Sequence, residues 1–126
     1  MKVTIEHTTK AKPPRLPYQE ITEAIAGKRY QLSIIFVGET RAQSLNEKYR
    51  NKSYIPNVLS FPLDDTTGEI YICPSVAKRE AKNFDLSVKG YIAFLLIHGL
   101  LHLKGHDHGA TMEKLERKYV RAFGVT

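Results

Sequence analysis

Residues 87–108 read Ser87-Val88-Lys89-Gly90-Tyr91-Ile92-Ala93-Phe94-Leu95-Leu96-Ile97-His98-Gly99-Leu100-Leu101-His102-Leu103-Lys104-Gly105-His106-Asp107-His108. Ser87 is a favoured N-cap residue and Gly105 a favoured stop, so the pattern predicts a helix running to about Leu103. Val88, Tyr91, Ile92, Phe94, Leu95, Leu96, Ile97, Leu100, Leu101 and Leu103 cover nearly its whole circumference. A helix that is apolar all round sits in the middle of a domain, with other elements packed around it. Its longest unbroken apolar run, Ile92–Ile97, is far short of the roughly 20 residues a membrane span needs.

The same stretch carries four of the five histidines, within eleven residues. His98 and His102 are four apart, so their imidazoles project from one helix face, one turn apart. Two such rings can reach a single tetrahedral ion at about 2.0–2.1 Å. Gly105 can adopt the left-handed conformation that ends the helix and turns the chain, bringing His108 back as a third ligand. His106, four residues after His102, is the alternative third ligand, but Gly105 ends the helix before it. A lone buried histidine is more often a hydrogen-bonded core residue; this concentration points instead to a metal, which removes the cost of burying unpaired imidazoles. The expected ligands are therefore His98, His102 and His108, around one zinc ion. Nickel, copper or cobalt would also suit three imidazoles. Three ligands leave a fourth position open, the pattern of catalytic rather than structural zinc. Asp107 is a candidate for orienting a ligand imidazole.

The spacing His-x3-His-x2-Gly-x2-His is that of the metzincin peptidases. Those enzymes place a glutamate directly after the first histidine as general base, where this chain has Gly99. Peptide hydrolysis by that route is therefore not expected.

Outward from this stretch, strands are expected at Val3–Thr8, Gln31–Val37, Val58–Leu63 (cut off by Pro62) and Glu69–Cys73. The last two should be joined by the turn formers Asp64-Asp65-Thr66-Thr67-Gly68 as an antiparallel hairpin. Lys10–Pro17, with three prolines, reads as an extended connection, and Asn51–Pro56 as a loop. Further helices are expected at Tyr18–Ala26, Thr40–Tyr49, Pro74–Asn83 and Thr111–Ala122. Strands and helices intermix without a regular βαβ rhythm. The fold class is thus α+β: one domain over residues 1–126, with a mixed sheet of about four strands covered by helices around the histidine helix.

Net charge is +6, with ten Lys/Arg against five Asp/Glu in residues 1–52. Such an excess favours a polyanionic partner such as RNA, or serves solubility alone. Lys10, Lys12, Arg15, Arg41, Lys48 and Lys52 are candidates for tracking phosphates. Tyr49 and Tyr54 could stack on bases, though packing is the more ordinary role. The single cysteine, Cys73, cannot form an internal disulfide, and Met1–His7 lacks the apolar core of a signal peptide. A cytoplasmic, membrane-free location is expected.

His98-Gly-Leu-Leu-His-Leu-Lys-Gly-His-Asp-His108 closely resembles the long histidine motif of the YbeY family, bacterial endoribonucleases of rRNA maturation. Leu45-Asn46-Glu47-Lys48-Tyr49-Arg50 resembles that family's Leu-Asn-x-x-Tyr-Arg block. Asn57-Val58-Leu59-Ser60-Phe61-Pro62 resembles its Asp/Asn-Val-Leu-Ser-Phe-Pro block, and Gly68-Glu69-Ile70 its Gly-Asp-Ile. The matches follow family order over residues 45–108. The chain departs from the pattern at His106 (usually aromatic), Pro56 (usually Thr) and Glu69 (usually Asp).

The resemblance implies a zinc-dependent, single-strand-specific endoribonuclease acting in small-subunit rRNA 3′-end processing and ribosome quality control. It implies His98, His102 and His108 as zinc ligands, and Arg50 and His108 as residues bearing on catalysis. Its partners would be single-stranded rRNA and the small ribosomal subunit. No general base is identified: Asp107 and Glu69 are the nearest carboxylates by sequence, with neither favoured, and Ser60 and Phe61 either line the cleft or serve as ordinary strand and core residues. The rival readings are a non-catalytic zinc-containing ribosome assembly factor and a metallopeptidase.

Overall fold

A computed structural model describes residues 3–10 and 12–124. Met1 and Lys2 of the alternating N-terminal segment, and Ala11 of the proline-rich connection, lie outside them. The elements in chain order are β1 (Val3–His7), α1 (Tyr18–Ala26), β2 (Gln31–Phe36), α2 (Glu39–Arg50), β3 (Val58–Asp64) and β4 (Thr67–Ile72). They are followed by α3 (Pro74–Glu80), a 3-10 turn (Ala81–Phe84), α4 (Val88–Leu103) and α5 (Ala110–Phe123). The four strands form one mixed sheet in the order β1-β2-β4-β3, parallel across β1-β2 and β2-β4 and antiparallel across β4-β3. The α+β class, the four strands and the hairpin agree with the sequence reading.

The differences are local. The expected helix Pro74–Asn83 divides into α3 and the 3-10 turn. Pro62 does not cut β3 short, because β3 is an edge strand and an edge tolerates a residue without an N–H donor. The strand instead runs on to Asp64 through an irregularity between Pro62 and Asp64.

Strand alternation divides the core between two faces. Leu32, Ile34, Phe36, Ile70 and Ile72 share one face and pack with Tyr91, Ile92, Leu95, Leu96, Ile97, Leu100 and Leu101 of α4. Ile35, Cys73 and Tyr71 belong to the other face, with Ala42 of α2 and Val76 of α3. The α4 helix touches β3, β4, α1, α3 and α5, which is why its sequence needs no polar side. Its start is capped as expected, with the Ser87 hydroxyl accepting from the Gly90 N–H at 2.9 Å.

Where α4 crosses the sheet, Gly99 makes a close approach possible. A Cβ there would stand 2.8 Å from Ser60 Oγ and 3.0 Å from Ile70 Cδ1. The Ser60 hydroxyl donates to the Gly99 carbonyl at 3.2 Å, tying β3 to the middle of the helix. Position 99 therefore faces packed sheet. An acidic side chain at this position would point into Ser60 and Ile70, which adds a steric reason to the chemical one against the metzincin mechanism.

Gly99→Ala sets two effects in opposition. Alanine gains about 1 kcal/mol in helix propensity, but overpacking a tight contact costs typically about 1–3 kcal/mol. The expected net result is a melting temperature lower by a few degrees, read by circular dichroism. A higher melting temperature would show that the helix lifts off the sheet freely.

Candidate metal centre

The end of α4 is built by hydrogen bonds that define a Schellman stop. Gly105 has φ +91°, its N–H donates to the His102 carbonyl at 2.9 Å, and the His106 N–H donates to the Leu101 carbonyl at 3.0 Å. The turn places the His106 carbonyl beneath the last helical turn, where His102 Nδ1 donates to it at 2.9 Å. His98 Nδ1 is held in the same manner by Glu116 Oε2 of α5, at 2.5 Å. With both Nδ1 atoms engaged as donors, both Nε2 atoms carry lone pairs. Those two Nε2 atoms lie 3.1 Å apart and face the same space.

His108 closes the figure. Its ring centre is 5.1 Å from that of His98 and 4.8 Å from that of His102, while the His98 and His102 rings are 4.6 Å apart. One nitrogen from each of the three histidines lies within 4.8 Å of the others, so the group could hold a metal ion. Tetrahedral bonds of about 2.0–2.1 Å require nitrogens about 3.3 Å apart, close to the Nε2–Nε2 separation seen here. The donor set fits an imidazole-binding divalent cation. His106 contributes its carbonyl to the arrangement, and its ring does not belong to the group.

These histidines open into a cleft of about 730 Å³. Its walls include Arg50, Tyr54, Asn57, Ser60, Phe84, Tyr91, Phe94, Asp107 and Glu116. Arg50 ends α2, is exposed, and its side chain makes no hydrogen bond or ion pair among the described residues. One turn earlier the buried Asn46 donates to the Tyr54 carbonyl at 3.0 Å, and Gln43 donates to the Ser53 carbonyl at 2.8 Å. The Asn46–Arg50 turn thus pins the loop that forms one side of the cleft. On the adjacent wall Tyr91 donates to Glu80 at 2.8 Å, and Asn57 donates to the same carboxylate at 2.9 Å. Burial and then the Glu80 bond push the Tyr91 hydroxyl up to about 12.

The remaining sequence candidates divide between the cleft and the opposite face of the sheet. Phe61 and Glu69 are register partners on the sheet face away from α4: Phe61 packs edge-on against Tyr49 and Tyr71, and Tyr71 donates to Glu69. Neither lines the cleft, because strand parity sends Ser60 toward the histidines and its successor away. Tyr49 goes with Phe61, whereas Tyr54, 54% exposed, stands at the cleft. None of Lys10, Lys12, Arg15, Arg41, Lys48 and Lys52 lines the cleft.

The residue that sequence reasoning missed is Glu116. Its signal was available: with Met112, Leu115 and Tyr119 it falls on the inward stripe of α5, where an acid needs a partner.

A family model described as endoribonuclease YbeY matches residues 5–124. Curated relatives named endoribonuclease YbeY include one from Mesoplasma florum, 41% identical over 101 residues, covering 71% of this chain and 59% of the relative. One from Bdellovibrio bacteriovorus is 36% identical over 99 residues, covering 77% and 63%. One from Burkholderia ambifaria is 39% identical over 118 residues, covering 85% and 67%. The chain therefore spans about six-tenths of the length of the first two relatives. The solution structure of a Thermotoga maritima protein is 30% identical, with a TM-score of 0.67, covering 94% of this chain and 87% of that one.

Two predictions follow from this geometry. Glu116→Ala leaves all three rings in place but frees His98 Nδ1, so divalent metal affinity should fall about 10–100-fold. Competition with a chromophoric chelator measures this, and an unchanged affinity would remove the role assigned to Glu116. The second concerns acid. Burial, and then the neighbouring His98, hold the His102 pKa below its ordinary value. A base depressed in the folded state binds fewer protons than when unfolded, so its contribution is complete above about pH 6.5 and lost as pH falls below it. Thermal melts of metal-free protein should therefore drop between about pH 7.5 and about pH 5, and a flat profile would contradict the assignment.

Proposed function

Because the chain belongs to the endoribonuclease YbeY family, we propose that it is a zinc-dependent endoribonuclease cutting single-stranded RNA. In this reading residues 1–126 work as one hydrolase domain in the cytoplasm, on the 3′ end of small-subunit rRNA and in ribosome quality control. The observation that carries the proposal is the convergence of three imidazoles, two with their Nδ1 atoms already engaged, inside a cleft that also holds an unpartnered arginine. Among the described residues no single helix is long and apolar enough to cross a membrane.

His98, His102 and His108 would hold the zinc ion. When bound, zinc supplies Lewis acidity, making a nearby water or hydroxyl acidic near neutral pH and polarising a phosphoryl oxygen. The remaining work belongs to the chain. Glu116 and the His106 carbonyl keep His98 and His102 in the tautomer that presents Nε2. Arg50 offers a planar pair of donors that match two phosphate oxygens and stabilise the charge developing on them. The Asn46 bonds hold the loop after Arg50, so the guanidinium starts from a fixed backbone. Asp107, Glu113 and Glu116 are the carboxylates of the cleft, and Glu116 is committed to His98.

The test is RNA cleavage by highly purified, untagged protein with elemental analysis of the same preparation. One zinc per chain is expected, with His98→Ala and His108→Ala inactive and Arg50→Ala slower by about a hundredfold. Undiminished cleavage by folded histidine variants would mean a contaminating nuclease. Full zinc loading and support of ribosome maturation without any cleavage would favour the assembly-factor reading.

A further inference from the structure

Phe84, Tyr91 and Phe94 form a triangular run of nearly parallel rings along one wall of the cleft, with the His98 ring tilted beside Phe94. Phe84 and Tyr91 are 5.1 Å apart between ring centres with 21° between planes; Tyr91 and Phe94 are 5.9 Å apart with 17°. Phe84 and Phe94 are 6.4 Å apart with 27°, and the His98 ring lies 6.1 Å beyond Phe94 at 35°. The aromatic pairs elsewhere in the described residues are edge-on: Tyr18–Phe36 at 73°, Tyr49–Phe61 at 62° and Phe61–Tyr71 at 73°. Among the described residues, near-parallel pairs of phenylalanine and tyrosine rings occur only beside the histidines.

Core packing does not account for the outer member of this run. Phe84 is 55% exposed, and it stands at the end of the 3-10 turn directly before Asp85, whose φ of 57° swings the chain toward α4. Behind it Tyr91 is buried, and its hydroxyl is tied to Glu80 and Asn57, which fixes the plane of its ring. The result is an aromatic cluster with Phe84 exposed at one corner, one ring away from the histidine group and in the same cleft as Arg50. A flat apolar surface beside an anion-binding group matches a nucleotide, with a base for the rings and a phosphate for the cation and guanidinium.

We propose that Phe84, Tyr91 and Phe94 are a stacking platform for one base of a single-stranded RNA, seating it next to the phosphate held at the histidines. The proposal rests on the RNA-cleaving reading and adds a physical source for its strand selectivity. A base that is paired and stacked within a duplex cannot lie against Phe84, whereas an unpaired one can splay onto it. Because every base has a π-face, the platform would select for single strands with little regard to sequence.

The experiment is fluorescence anisotropy of zinc-loaded protein with a short 2′-O-methyl single-stranded oligoribonucleotide, checked on a gel to be intact afterwards. Phe84→Ala should weaken binding by about tenfold, while Phe84→Trp retains it and zinc content is unchanged in both. An abasic residue moved along the oligonucleotide should, at one position, cost the wild-type protein the same factor. It should cost Phe84→Ala nothing further there. If Phe84→Ala binds as tightly as wild type while RNA is still cleaved, the platform is wrong and the nuclease reading stands. If the wild-type protein neither binds nor cleaves single-stranded RNA, both readings fall together.

Discussion

Two Nδ1–H bonds constrain this structure more than any other contacts. An imidazole that is free to rotate, or free to exchange tautomers, offers a metal its nitrogen only part of the time. Here His102 is held by a backbone carbonyl and His98 by a carboxylate, and each holder depends on a different part of the fold. The carbonyl of His106 is in reach only because Gly105 accepts a positive φ and completes the stop of α4. The carboxylate of Glu116 is in reach only because α5 lies along α4 with Met112 buried beneath it. The helix itself is held at the right height by Gly99 on the sheet. Much of the polypeptide therefore serves to aim two nitrogens.

What was legible in the sequence follows from which features are local. The all-round apolar character of 88–103, the Ser87 cap and the Gly105 stop are properties of consecutive residues, and the structure reproduces them. The hairpin was legible because its turn formers are contiguous. The strand order β1-β2-β4-β3 was not, since it depends on which edges meet across long separations. Phe61 was left between cleft and core, and Glu69 without a settled role, for a related reason. Alternation along a strand is plain, but which parity faces α4 is settled by its packing on the sheet. Glu116 was overlooked because an acid in an amphipathic helix is ordinary until its phase is compared with Met112. Phe84 carried no signal in the sequence, because its exposure depends on the turn at Asp85.

The two faces of the sheet have separate duties. Toward α4 lie Ser60, Ile70 and the histidines; away from it lie Phe61, Tyr71, Glu69 and Tyr49, with Lys48 over the Tyr49 ring. The basic residues that charge counting brought forward are absent from the cleft lining, leaving Arg50 as its arginine. The lysines and arginines that raise the net charge thus lie mostly outside the cleft, whose lining holds Arg50.

The three-histidine group is uneven in its support. His98 and His102 sit on a buried helix with their far nitrogens anchored, whereas His108 is exposed, lies in the loop between helices, and makes no hydrogen bond among the described residues. An ion held here would therefore meet two nitrogens fixed in advance and a third whose position follows the loop between α4 and α5.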